Sequence, residues 1–129
     1  MLYGGETWPV KVEDENRLKR TETTMIRWMC GSKIKQRKST EQMLNILGLN
    51  SILLEVTNRR LRWYGHVSRR EENNWVRLIQ QPQANGTRTK GRPQKGWNAV
   101  IKADFKRHNT NGGDASNRNK WNKILKGIK

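Results

Sequence analysis

The 129-residue chain lacks most of the features that would mark it as an enzyme. It has one cysteine, Cys30, so no internal disulfide can form. With His66 and His108 it offers three soft ligands that lie far apart and without zinc spacing. Aspartate occurs only at Asp14, Asp104 and Asp114, never as an adjacent pair. A polymerase working through two metal ions needs closely placed carboxylates, so that chemistry is not expected of this chain. P-loop, nucleophile-elbow and HExxH patterns are also missing. The expectation is a non-enzyme with no cofactor and no metal. No apolar run approaches a membrane span, and the first residues lack a signal-peptide h-region. A nuclear or cytoplasmic setting, away from membranes, is the corresponding expectation.

Core-forming residues are scarce too. Leu, Ile, Val and Phe together number 25 of 129, a level that borders on the composition of disordered chains when charge is high. Six tryptophans act against disorder, because each can bury a large apolar area. Acidic groups are few: 11 Asp and Glu face 27 Lys and Arg, for a net charge of +16. Such an excess opposes compaction and attracts polyanions, above all phosphate. The first 31 residues are neutral, with five groups of each sign, so the whole excess lies beyond them.

The spacing of apolar residues predicts a mostly α chain. Gly4, Gly5 and Pro9 disfavour helix in a lead-in over residues 1–12. A helix from about Glu13 to Cys30 opens on three acidic residues and closes at Gly31. Its stripe of Leu18, Met25, Ile26 and Met29 is interrupted by Arg20, Thr21 and Thr23. A short helix over Thr40–Leu47 and a longer one over Ser51–Val67 follow. A further short element, helix or strand, covers Trp75–Ile79. Residues 80–96 read as a basic linker or arm rich in Gly, Pro and Gln. Helices over Trp97–Arg107 and Ala115–Leu125 make a C-terminal hairpin, the first with a clear stripe of Trp97, Ile101 and Phe105. Residues 13–79 are expected to form a small helical core.

Two segments carry most of the binding chemistry. Lys90-Gly91-Arg92-Pro93-Gln94-Lys95 has the Gly-Arg-Pro core of an AT-hook. There Arg92 would lie in a narrow A·T minor groove while Arg88, Lys90 and Lys95 meet phosphates. A solvated basic linker has the same composition. The second segment runs from Arg59 to Val67 and holds Arg59, Arg60, Arg62, Trp63 and Tyr64. Its guanidinium forks suit phosphate oxygens and its rings suit unpaired bases. The alternative is that the rings are core and the arginines a solvated face. Arg69 and Arg70 extend the same cluster. His66 has no visible nucleophile to serve, and reads as a cap or packing residue. The helix pair 40–47 and 51–67 has the outline of a helix-turn-helix, though an ordinary αα-hairpin has it too.

Several strings occur in a recognisable order: Tyr3-Gly4-Gly5-Glu6-Thr7-Trp8, then Arg60-Leu61-Arg62-Trp63-Tyr64-Gly65-His66-Val67, then Gly91-Arg92-Pro93-Gln94-Lys95-Gly96-Trp97, and finally Ala115, Arg118 and Trp121. Nearly the whole chain resembles the region downstream of the polymerase palm in non-LTR (LINE-type) retrotransposon reverse transcriptases. The resemblance implies a thumb-like helical segment with a basic tail, and a truncated copy whose catalytic aspartates lie upstream in the family. The partners it implies are RNA or DNA and the absent polymerase palm, against which Trp8 and the neutral first 31 residues would pack. Arg20, Thr21 and Thr23 stand where the family's first helix is more apolar, Gly96 where a basic residue is usual, and Asn117 where Asp is usual. These departures bear on the packing of the first helix and on any inherited activity.

The functional expectation is a non-catalytic fragment that holds template RNA or target DNA through phosphate contacts. Its alternatives are a decayed product with no independent function and a repurposed A·T minor-groove binder.

Overall fold

The structure, a computed structural model, describes residues 3–7, 9–32, 38–80, 91 and 96–128, with the backbone alone at 79 and 80. It is mostly helical, and no strand occurs among the described residues. The α-helices are α1 (Val12–Met29), α2 (Thr40–Leu47), α3 (Ile52–Ser68), α4 (Trp75–Gln80), α5 (Trp97–Arg107) and α6 (Arg118–Gly127). Short 3-10 turns cover Gly5–Thr7 and Gly112–Ser116. The first of these turns falls within the lead-in that Gly4 and Gly5 marked as non-helical.

Local chemistry fixes the helix ends. Asp14 reaches back to the Lys11 amide at 3.3 Å, and the acidic first turn suits the positive end of the α1 dipole. At the other end Gly31 is left-handed (φ +59°), with its N–H on the Trp28 carbonyl and that of Ser32 on Arg27, a Schellman closure. Thr21, Thr23 and Thr24 hydroxyls bond the carbonyls of Arg17, Lys19 and Arg20, so the polar interruptions of the stripe are accommodated within α1. Ser39 and Gln42 form a reciprocal capping box on α2, each bond 3.2 Å.

Glu22, midway along α1, accepts from the Ile52 amide and the Ser51 hydroxyl. A carboxylate from one helix thus caps the start of another, and sets where α3 begins.

The turn over Gly5–Thr7, together with α1, α4, α5, the Gly112–Ser116 turn and α6, packs on α3, while α2 docks on α1. In a helix-turn-helix the two helices pack on one another, whereas α2 packs on α1 and is not among the elements that pack on α3, which sets aside the helix-turn-helix reading. One cluster joins Leu61 of α3 to Ala115, Trp121 and Leu125, with Tyr64, Phe105, Ile124 and Ile128 against it. A smaller one joins Ile26 of α1 to Met43 and Leu44 of α2. The C-terminal helices therefore share a core with α3. Leu61 and Val67 are the most deeply buried apolar residues of that helix.

Candidate nucleic-acid interface

Along α3 and into its C-cap, residues 59, 62, 63, 66 and 69 follow the three- and four-residue steps that keep side chains on one helix face. They are Arg59, Arg62, Trp63, His66 and Arg69. All five line one open groove of about 530 Å³, whose other wall is Arg118 and Asn122 at the start of α6, with Glu6 also at its edge. The groove thus gathers four guanidinium groups around one acid and two rings. Buried residues of α3, among them Val56, Leu61 and Val67, occupy its other faces and hold this face outward.

Each arginine is held differently. Arg59 pairs with Glu55 at 3.1 Å while both stay more than two-fifths exposed, so solvent screens the pair and the guanidinium remains open to a ligand. Arg69 donates from Nη1 to the Ala115 carbonyl at 2.7 Å, which fixes its fork at the groove edge. The Arg62 and Arg118 side chains make no hydrogen bond or ion pair among the described residues. Arg118 also opens α6, where the helix dipole disfavours a cation, while Asn117 caps that end through the Asn119 and Lys120 amides.

The Trp63 and His66 rings stack with centroids 5.6 Å apart and planes inclined by 27°. Arg70 lies outside the groove lining, and its Nη2 sits 3.1 Å from His66 Nε2. A guanidinium only donates, so in this contact Nε2 of His66 is the acceptor.

The structure corrects two expectations. Arg60 does not reach a phosphate: it is buried, with Nε 3.3 Å from Asp104 Oδ2 of α5. Desolvation pulls its guanidinium below the ordinary value, opposed by the charges of Asp104 and then Glu15. The contact is an ion pair whose angles fall short of a hydrogen bond. Tyr64 is not a free stacking platform either. It is half-buried and packs edge-on to Phe105 (5.0 Å, 82°), within 6.3 Å of Trp97 and Trp121. Adjacent residues of α3 thus divide, Arg59 and Trp63 to the groove, Arg60 and Tyr64 to the interior.

Arg88, Lys90, Arg92 and Lys95 lie outside the described residues, as does Trp8. Arg118, Asn122 and His66 were not among the binding residues expected from sequence. Arg118 carried no signal in sequence, because the helix was expected to begin at Ala115, and only the structure places Arg118 at its start. No group of three or more His, Cys, Asp or Glu among the described residues could hold a metal ion. No described helix is long and apolar enough to cross a membrane.

The structure defines a mostly α domain with a basic groove along its central helix. No family model, curated protein or solved structure matches this chain.

Proposed function

We propose that this chain is a non-catalytic nucleic-acid-binding element that grips backbone phosphates, the C-terminal part of a LINE-type retrotransposon reverse transcriptase. One observation carries the reading: Arg59, Arg62, Arg69 and Arg118 converge on a single groove from two helices. Arginine forks match phosphate oxygens, and a net charge of +16 raises the local concentration of any polyanion. Order of motifs and the basic arm support the family assignment, and with it a nuclear or cytoplasmic setting. The exposed Met25, Trp28 and Met29 on the neutral first helix fit a surface that meets the polymerase palm.

The test is a fluorescence-anisotropy titration at two salt concentrations with A·T-rich duplex, G·C-rich duplex and single-stranded RNA. Four phosphate contacts give a slope of log K against log salt of about −3 or steeper. A flat salt response sinks the proposal. Preference for A·T duplex that is lost in Arg92→Ala would instead favour the minor-groove module. Equal weak binding to all three probes would favour a relic without independent function.

A further inference from the structure

We propose that the Trp63–His66 ring pair is a platform for an unpaired base, so that the groove takes single-stranded nucleic acid in preference to duplex. The proposal rests on the phosphate-binding reading above and names the form of ligand that the same site selects.

Phosphate contacts alone do not call for aromatic rings between four arginines. Trp63 is half-buried and His66 exposed, and the two already stack at 5.6 Å. The Arg70 guanidinium, 3.1 Å from Nε2, restrains the imidazole. The pair is therefore a pre-ordered layer that loses little freedom when a third ring is added. Arg59 and Arg62 precede Trp63 on α3, while Arg69 and Arg118 lie beyond His66 and across the groove. A base on the rings would have guanidinium groups on both sides for its flanking phosphates. The other aromatics near α3 (Tyr64, Trp97, Phe105 and Trp121) face one another in the core. At about 530 Å³ the groove is in the size range of sites that enclose a small organic ligand. A duplex keeps its bases stacked inside and offers a convex row of phosphates, which cannot reach a ring floor without unpairing. A single strand supplies both faces and phosphates.

The experiment titrates the full chain at two salt concentrations against four probes of equal length: single-stranded DNA, single-stranded RNA, a base-free deoxyribose-phosphate strand, and duplex DNA. Stacking on one platform is worth roughly tenfold to hundredfold in affinity. The expected result is that at least one intact strand binds tighter than the base-free strand, and tighter than duplex, by about that factor. His66→Ala, at an exposed position, should cut the advantage of the intact strand over the base-free strand severalfold. Trp63→Leu should nearly abolish it, whereas Trp63→Phe keeps most of it. His66→Ala decides the matter if Trp63→Leu does not fold. Equal binding of intact and base-free strands, or tightest binding to duplex, overturns the platform while leaving salt-dependent phosphate binding in place. Salt-independent or undetectable binding to all four probes overturns both readings.

Discussion

Arg60 of α3 and Asp104 of α5 face each other in the interior, Nε 3.3 Å from Oδ2, with both side chains at most 6% exposed. Burial lowers the Arg60 guanidinium from its ordinary value, so the pair is held against a desolvation penalty that Asp104 partly offsets. Removing one partner leaves the other charge buried. Asp104→Ala should therefore destabilise the fold by about 3–5 kcal/mol, a large share of a small domain's stability. Replacing both residues, Arg60→Met with Asp104→Leu, should return stability close to the parent value or above it. Urea titration followed by circular dichroism measures both. Parent-like unfolding of Asp104→Ala would show that the pair is not buried as described.

Gly65 lies under the Trp121 indole, whose Nε1 donates to the Leu61 carbonyl at 3.1 Å. A Cβ at position 65 would run into the indole at Nε1 and Cδ1. By helix propensity alone, Gly65→Ala should stabilise α3 by about 1 kcal/mol. The contact with a fully buried ring reverses that sign, and a loss of about 1–3 kcal/mol is expected. A melting temperature at or above the parent's would refute the packing of α6 on α3.

Two tryptophans should respond in opposite ways. Trp121 is 1% exposed and anchors the main cluster, whereas Trp28 is 86% exposed on α1. Trp121→Ala should cost about 3–5 kcal/mol, through lost burial and the cavity left behind. Trp28→Ala should change stability by no more than about 0.5 kcal/mol. Chemical denaturation of the two variants in parallel checks both. A large loss in Trp28→Ala would mean that this face is covered in the free chain.

Helix positions were legible because they depend on local spacing. The stripe of Trp97, Ile101 and Phe105 gave α5 its observed limits, and α2 spans the expected Thr40–Leu47. Three-dimensional partners were not legible. Nothing near Arg60 signals Asp104, which comes from another helix, so two adjacent arginines looked alike and only Arg59 reaches the groove. Local spacing does not mark Leu61 as the centre of the main cluster, because α3 is covered on several sides rather than one. Nothing near Gly65 in sequence marks it as required, since the ring that requires it belongs to α6. The Arg118 wall of the groove exists only once α6 folds back onto α3.

Folding back in this way makes Arg118 the sharpest test of the groove. The Arg62 and Arg118 side chains make no hydrogen bond or ion pair among the described residues, so removing either should leave stability nearly unchanged. Arg118→Ala should even stabilise α6 by a few tenths of a kcal/mol, roughly, by removing a cation from the helix N-terminus. Each substitution should weaken nucleic-acid binding and lower the magnitude of the salt slope by about 1, one phosphate contact apiece. Arg69→Ala is different in kind, because its Nη1 also holds the Ala115 carbonyl at 2.7 Å. Its loss should lower both binding and stability. Anisotropy titrations across a salt series, with a thermal melt of each variant, separate these effects. If Arg118→Ala and Arg62→Ala keep the full salt slope, the phosphates are bound elsewhere, and the groove between α3 and α6 is not the interface.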